Sequence, residues 1–256
     1  MKRVLKIAAL VLLILVVTVA SVLAVTFMGR RPVMDGQEVN GTRIIEDGFT
    51  AVGVIPINDR QVALVDTGQD ATGDVIKREL ARRRLQPESV AVILVTHGHQ
   101  DHIGAVGQFP RAQVMALGAE VPLVEGRAGA KGPVTRLFPV SPTGVTVDRV
   151  LRDGEVVMLG TLPVRVYAVP GHTAGSAAYL VNGALFIGDS ADVTSDGELQ
   201  GSPWIFSDSQ PENRASLVRL EQRLVRDGAN VAAIVPSHSG TSDGLAPLTA
   251  FARENE

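Results

Sequence analysis

Apolar positions along the chain fall into one long run followed by a series of short ones. The long run extends from Ile7 to Met28 with almost no polar residue, and basic residues flank it on both sides. At about 1.5 Å per residue, a helix over this range spans roughly 33 Å, which is enough for the core of a bilayer. The run therefore predicts a transmembrane anchor or signal segment over residues 1–31.

The flanking basic residues indicate the orientation of this segment. Three precede the run and two follow it, and this excess favours a cytoplasmic N-terminus. An uncleaved anchor fits the length of the run. A cleaved signal peptide needs small residues at its cleavage site, and only Val22 and Ala24 could provide one. In both cases we expect the rest of the chain outside the cytoplasm, membrane-anchored or exported after cleavage.

Short apolar runs rich in β-branched residues follow a predicted linker at residues 32–41. The predicted strands are 51–57, 62–65, 90–95, 114–117, 164–169, 177–181, 184–187 and 231–235. Helical spacing predicts helices over 74–84, 214–225 and 245–253. Early hairpins and later alternation of strands with helices predict a mixed α/β fold, with stacked sheets inside and helices outside. One catalytic domain over residues 42–256 would hold all of these elements.

Composition and charge narrow the chemistry. The chain has no cysteine, which excludes disulfides, thiolate metal ligands and cysteine nucleophiles together. A net charge of -3 and a pI near 6.0 show no excess of basic residues that would bind phosphate groups, so we expect no nucleic-acid partner. The oligomeric state is left open.

Four candidate metal ligands lie within six residues, directly after the predicted strand at 90–95. They are His97, His99, Asp101 and His102, in the run Thr-His-Gly-His-Gln-Asp-His. A rigid strand end followed by a glycine lets the first two imidazoles project from a fixed base, while the other two side chains turn toward a neighbouring cation. Imidazole and carboxylate suit zinc, iron or manganese. We predict a metal site here rather than a polar loop with chance histidines.

Four further candidates also follow predicted strands. His172 and His238, the remaining histidines of the five, each come after a proline-containing turn, and Asp66 and Asp189 come directly after strands or after a glycine. Each aspartate alone is typical of a turn cap. Their common position at strand C-termini predicts that they converge on one site.

The ordered motifs His-x-His-x-Asp-His, Pro-Gly-His-Thr, Gly-Asp-Ser and Ser-His-Ser-Gly resemble those of the metallo-β-lactamase superfamily, over residues 42–256. The resemblance implies a four-layer αββα sandwich with the metal site along one edge between the sheets. It assigns seven ligands to two cations: His97, His99 and His172 to the first, Asp101, His102 and His238 to the second, and Asp189 to both. It implies that Asp66 holds the ligands by hydrogen bonds.

Departures from better-known relatives narrow the expected substrate. Asp189 stands where β-lactamases with the best-known zinc sites usually carry cysteine, so the ligand set resembles glyoxalase II-like thioesterases, lactonases and phosphodiesterases more closely. Only 18 residues follow His238, too few for the helical extension that binds glutathione in glyoxalase II proper. His99 stands where flavodiiron-type relatives have glutamate, which disfavours oxygen reduction.

The chemistry expected of two such cations is hydrolysis of a small-molecule substrate. Two divalent ions, zinc before manganese or iron, would share a bridging hydroxide that attacks an ester, thioester, lactone, lactam or phosphodiester bond. A further hypothesis assigns proton transfer to the leaving group to Asp101 or Asp189. Trp204, Ile205 and Phe206 are candidates for an apolar substrate wall, and the alternative is that they anchor their loop to the core.

Two other functions stay open. One is a metal-binding envelope domain without turnover, although its complete ligand set argues against a loss of catalysis. The other is a mononuclear-iron oxidoreductase resembling the persulfide dioxygenases. Metal content separates the three, because hydrolysis predicts two zinc-like ions and oxidation predicts one iron.

Overall fold

The computed structural model describes residues 2–256. They form two compact units, of which the first ends at Arg30 and the second runs from Arg31 to Glu256. The first unit contains one helix, α1 (Lys2–Phe27), and its stretch Leu5–Phe27 is long and apolar enough to cross a membrane. Met1, the first residue of the predicted segment 1–31, lies outside the described residues.

The second unit is built from short strands and five helices. Its strands are β1 (Gln37–Val39), β2 (Thr42–Asp47), β3 (Thr50–Asn58), β4 (Gln61–Val65), β5 (Val90–Leu94), β6 (Gln113–Leu117), β7 (Arg149–Leu151), β8 (Val156–Leu159), β9 (Leu162–Ala168), β10 (Ala177–Val181), β11 (Ala184–Gly188), β12 (Ala191–Val193), β13 (Leu199–Gly201), β14 (Ala233–Pro236) and β15 (Ser242–Asp243). Its helices are α2 (Asp74–Arg82), α3 (Gln100–Ile103), α4 (Val121–Val124), α5 (Gln210–Arg226) and α6 (Ala246–Asn255).

Two large mixed sheets organise these strands. The first has the order β1-β2-β3-β4-β5-β6-β7 and the second the order β15-β14-β11-β10-β9-β8, while β12 and β13 form a small separate hairpin. Strands β4 to β7 are parallel in the first sheet, as are β11 and β14 in the second. Because carboxyl ends of parallel strands share one edge, the loops after β4 and β5 emerge together, and so do those after β11 and β14.

Alternation along the strands covers both faces of each sheet. In β4, Val65 packs in the cluster between the two sheets, whereas its neighbour Leu64 packs in the cluster that contains Ile76 of α2. On the outer face of the second sheet, Leu185 of β11 packs with Leu217 of α5. Helices therefore cover the outside of both sheets, and the predicted αββα sandwich is confirmed.

The structure contains short strands that the apolar pattern does not show. Strand β1 lies inside segment 32–41, which the sequence predicts to be a linker, and it pairs with β2. Strand β2 has only two apolar residues, Ile44 and Ile45, among polar and charged ones, so a scan for apolar runs misses it. Helix α5 begins before the predicted 214–225, because Ser209 caps it through the backbone N–H of Glu212 and a proline occupies its first turn.

Candidate metal centre

The seven predicted ligands meet at the strand ends of the two sheets. The loop after β5 and the helix α3 that follows it supply four of them, and the loops after β9, β11 and β14 supply one each. They form two groups whose ligating atoms lie within 4.8 Å of one another: His97, His99, His172 and Asp189 in the first, and Asp101, His102 and His238 in the second. The structure thus brings together every residue that the sequence assigns to metal.

Three imidazole nitrogens of the first group form a triangle. His97 Nε2 lies 3.0 Å from His99 Nδ1, and His172 Nε2 lies 3.2 and 3.0 Å from these two atoms. A tetrahedral zinc ion with Zn–N bonds of about 2.0–2.1 Å would separate two such nitrogens by roughly 3.3 Å. The spacing of the triangle therefore fits a transition-metal ion.

Hydrogen bonds behind the rings decide which nitrogen faces the group. Ser207 Oγ lies 2.7 Å from a carbonyl oxygen, to which it must donate, so at 3.0 Å it accepts the proton of His172 Nδ1. Thr96 Oγ1 donates to a carboxylate at 2.7 Å and likewise accepts from His97 Nδ1 at 3.2 Å. Both histidines therefore turn the lone pair of Nε2 toward the group.

Asp66 supports the second group from behind. Its Oδ2 accepts from His102 Nδ1 at 2.8 Å, and its Oδ1 accepts the backbone N–H of Thr96 at 2.7 Å. Asp66 has a φ of 59°, a conformation that is unfavourable for a residue other than glycine and that these bonds offset. His238 Nδ1 donates to the carbonyl of Phe49 at 2.8 Å. His102 and His238 are thus oriented with Nε2 toward the carboxylates.

Asp189, a member of the first group, also contacts the second. Its Oδ2 is 3.5 Å from His172 Nε2 and 3.0 Å from His238 Nε2, and its Oδ1 is 3.3 Å from His102 Nε2. Asp101 Oδ2 lies 3.3 Å from the same atom of His238. Asp189 is therefore the one carboxylate here that contacts both groups, the position expected of a shared ligand.

The residues fit metal ions by a second observation. His102 Nε2 and Asp189 Oδ1 are buried and have no hydrogen-bond partner of acceptable geometry. A buried polar atom without a partner is costly, and a cation held between the two would satisfy both. Neutral imidazole nitrogens and carboxylate oxygens together form the donor set of a transition metal such as zinc.

The three histidines of the first group are held in the neutral state. Burial lowers the pKa of His97 well below its usual value, lowers that of His99, and lowers that of His172 to about 3, despite the opposing charge of Asp189. Neutral imidazole is the form that binds metal. These three rings are therefore ready to act as ligands without first losing a proton.

The second group carries charge. Burial alone would lower the pKa of His102 and His238, but the charge of Asp189 and the adjacent Asp101 outweigh it, raising the first well above its usual value and the second to about 10. Burial would raise the pKa of Asp101, yet the charge of His102 holds it at about 2. The carboxylates thus require positive charge beside them, from protons or from a cation.

The predicted substrate wall divides into exposed and buried residues. Trp204 is 54% exposed, and its turn continues to Ser207, the partner of His172. Ile205 is buried, and its carbonyl accepts the N–H of Val134, which matches the anchoring alternative for that residue. Phe206 is half-buried. A substrate-binding role for these three residues stays a prediction.

Phe49 is a residue at the site that the sequence reading missed. It is 59% exposed, its ring centroid lies 5.4 Å from that of His238, and its carbonyl holds the imidazole. It occupies the turn between β2 and β3, far from His238 in sequence. An aromatic residue next to Gly48 in a hairpin turn is the only signal that the sequence offers.

Glu120 is a second residue that the sequence reading missed. It is 1% exposed and follows β6, and burial raises the pKa of its carboxyl to about 7 against the donors that surround it. These donors are the N–H of Gly98, the hydroxyl of Thr173 and the N–H of Gly175. Its place after a predicted strand, like that of Asp66, was the available signal.

The fold and the site define a class of protein, an αββα sandwich with a histidine- and aspartate-rich site at the edge between its sheets. The family model of the metallo-beta-lactamase superfamily matches residues 45–238. The chain belongs to this superfamily, which confirms the resemblance drawn from its motifs.

The sequence relatives include hydroxyacylglutathione hydrolases and a glyoxylase. A hydroxyacylglutathione hydrolase of Shewanella sp. (strain ANA-3) is 32% identical over 57% of this chain and 49% of its own length. One of Halorhodospira halophila is 39% identical over 51% of this chain and 42% of its own. Glyoxylase B2 of Dictyostelium discoideum is 30% identical over 49% and 43%. The chain spans about half the length of the curated relatives it matches.

Solved structures with the same fold are metallo-β-lactamases. A B3 enzyme with an active-site glutamic acid superposes with a TM-score of 0.62 over 91% of this chain and 90% of its own, at 18% identity. Another, MIM-1 of Novosphingobium pentaromativorans, gives a TM-score of 0.61 over 82% and 78%, at 23% identity. At these identities the likeness shows the fold alone.

Proposed function

We propose that this chain is a metal-dependent hydrolase that uses two divalent cations to cleave a thioester or ester bond. The observation that carries the proposal is the pair of adjacent ligand groups with Asp189 between them. The similarity to hydroxyacylglutathione hydrolases favours a thioester among the bonds such a site cleaves. Lactones, lactams and phosphodiesters are the other outcomes that the test distinguishes.

Each ligand group would hold one cation. His97, His99 and His172 would bind the first, Asp101, His102 and His238 the second, and Asp189 both. When bound, such a pair of cations lowers the pKa of a shared water and polarises the substrate carbonyl. Zinc suits the donor set best, with manganese and iron as alternatives.

The chain itself contributes orientation. Far-side hydrogen bonds fix the rings of His97, His172, His102 and His238, so these ligands need not reorganise during the reaction. Preorganised ligands of this kind keep the reacting geometry constant from substrate binding to product release. No side-chain nucleophile is required.

In this proposal Asp101, whose pKa of about 2 leaves it ionised, would accept the proton that the attacking water releases and pass it to the leaving group. The side chain of Asp101 is 25% exposed, whereas that of Asp189 is 6% exposed. A leaving thiol or alcohol can reach Oδ2 of Asp101 without displacing the buried carboxylate. Asp189 keeps the structural task of joining the two groups.

The apolar part of the substrate would contact Trp204 and Phe49. Phe49 lies against His238, and Trp204 belongs to the turn that contacts His172. Both aromatic side chains are exposed although they belong to loops that contact ligands. This arrangement favours a substrate with an apolar group on at least one side of the scissile bond.

We further propose that helix α1 either anchors the chain in a membrane or serves as an export signal. Its apolar length and flanking basic residues support both. Expression followed by carbonate washing of membranes tests this. A full-length chain retained in the membrane supports the anchor, a shortened exported chain supports the signal, and a full-length soluble cytoplasmic chain contradicts both.

A substrate panel tests the hydrolase proposal. The full chain, purified in detergent with zinc or manganese, is assayed on thioesters, esters, lactones, β-lactams and phosphodiesters. We expect the highest kcat/KM on thioesters or esters, abolished by a chelator and restored by zinc. Activity that survives chelation contradicts the proposal. Two bound ions without turnover indicate a binding domain, and a single bound iron indicates the oxidoreductase.

A further inference from the structure

Glu120 joins the two loops that carry His97, His99 and His172, which together are called the three-histidine group. Its Oε1 accepts the N–H of Gly98, which lies between His97 and His99, at 2.7 Å. Its Oε2 accepts the hydroxyl of Thr173, which follows His172, at 2.8 Å, and the N–H of Gly175 at 2.8 Å. One buried carboxylate therefore connects segments that are more than seventy residues apart in the chain.

Close backbone contact shows that this junction is built into the fold. A Cβ at Gly98 would lie 2.6 Å from the backbone nitrogen of Val124, and one at Gly175 would lie 2.2 Å from the backbone nitrogen of Glu120. Both distances are far shorter than a carbon atom tolerates. Glycine at these two positions lets the segment that carries Glu120 pack directly against both ligand loops.

We propose that Glu120 is a positioning residue that sets the spacing of the three-histidine group and thereby its metal affinity. The inference rests on the proposed function, because it takes these histidines as the ligands of one cation. The hydrogen bonds of Glu120 go to two backbone N–H groups and one hydroxyl of the loops that carry the imidazoles, and none goes to an imidazole. Its effect should therefore be specific to the first cation and small at the second.

The chemistry of the junction requires a carboxylate. Three donors converge on it, and a carboxylate is the side chain that accepts on both of its atoms. In Glu120→Gln one acceptor oxygen becomes an amide nitrogen, which faces either Gly98 N–H or both Thr173 and Gly175. The variant keeps the shape of the side chain but disconnects one of the two ligand loops.

The test is a zinc titration of the full chain against a chromophoric chelator, with cobalt(II) spectra to report coordination. For Glu120→Gln we expect the affinity of the three-histidine group to fall about 10- to 100-fold, the range seen when groups behind ligands are lost. The second cation should stay within about twofold of the wild type. Activity is not needed for this readout.

A matched control is Glu79→Gln. Glu79 is also a buried glutamate, but it pairs with Arg43, Arg82 and Arg83 beside helix α2. This variant should lower the melting temperature without changing either zinc affinity. Thr173→Val, which removes one of the three donors to Glu120, should weaken the first cation by a smaller factor than Glu120→Gln does.

The outcomes separate this inference from the proposed function. Wild-type affinity for both cations in Glu120→Gln overturns the inference alone, and so does an equal loss at both groups. If that variant fails to fold, Thr173→Val decides, and unchanged affinity of its first cation overturns the inference. A wild-type chain that binds no zinc overturns the proposed function, and the inference falls with it.

Discussion

The three-histidine group and the group of Asp101, His102 and His238 lie side by side but are built differently. In the first, burial lowers the pKa of every histidine. It leaves three neutral ring nitrogens at a spacing that one metal ion could bridge. In the second, carboxylates raise the pKa of both histidines, and one aspartate is open to solvent. Ring orientation defines one group and charge defines the other.

This difference suggests how two cations are handled on one edge of the fold. The three neutral histidines of the first group carry no charge, so we expect them to favour a metal that prefers nitrogen ligands. We expect the second group to attract any divalent cation, because Asp101 and the neighbouring Asp189 need positive charge in a largely buried place. We expect the first cation to be the more tightly and selectively held.

The largest effect is expected from Asp189→Ala, because Asp189 is the one ligand that contacts both groups. Both cations should bind more weakly, and kcat/KM should fall by about 10³-fold or more, since a catalytic cation contributes several kcal/mol. Inductively coupled plasma mass spectrometry and the assay measure the two effects. Asp153→Asn, at a surface pair with Arg223, is the control. Full affinity for either cation in Asp189→Ala contradicts a shared role.

The next largest effect separates the groups. His172→Ala should remove the first cation and leave the second, whereas His238→Ala should do the reverse. The lost cation should bind at least about 100-fold more weakly, as expected when one of three or four ligands is deleted. Cobalt(II) spectra of the two variants should differ, since only one of them keeps the nitrogen-rich group. Identical residual binding in both variants would show that the two groups are not independent.

The convergence of the seven candidate ligands could be predicted from sequence because each follows an apolar strand. The run at 90–95 predicts β5, and once parallel strands end at one edge, His97 and Asp66 must emerge there together. The αββα architecture came from the resemblance carried by these motifs. Strands such as β2 and β8 were missed, because β2 has only two apolar residues and β8 is only four residues long.

The supporting contacts could not be predicted, because they depend on loop packing between distant segments. Ser207 meets His172 from 35 residues away, and Phe49 meets His238 from 189 residues away. No local pattern specifies which hydroxyl or carbonyl receives an imidazole proton. Glu120 is an intermediate case. Its place after a predicted strand could be recognised in the sequence, but its three hydrogen-bond partners could not.

A moderate effect is expected from Asp66→Asn. The amide can replace only one of the two acceptor oxygens that serve Thr96 and His102, so a buried donor loses its partner. The free energy of unfolding should fall by about 1–3 kcal/mol. Affinity for the second cation should fall by about tenfold. Urea unfolding and zinc titration measure the two. A loss confined to the first cation would contradict the assignment of Asp66 to the second group.

The smallest effect on metal, and the sharpest on substrate, is expected from Trp204→Ala and Phe49→Ala. Both side chains are exposed and neither offers a metal ligand, so zinc content should match the wild type. Loss of apolar contact should lower kcat/KM by roughly tenfold, mainly through KM, and more for long acyl groups than for acetyl. Val225→Ala, an exposed apolar residue on helix α5, should change neither quantity. If Trp204→Ala loses zinc and activity in parallel, the tryptophan anchors its loop through Ser207 and His172. In that case only Phe49 and the group of Asp101, His102 and His238 would contact the substrate.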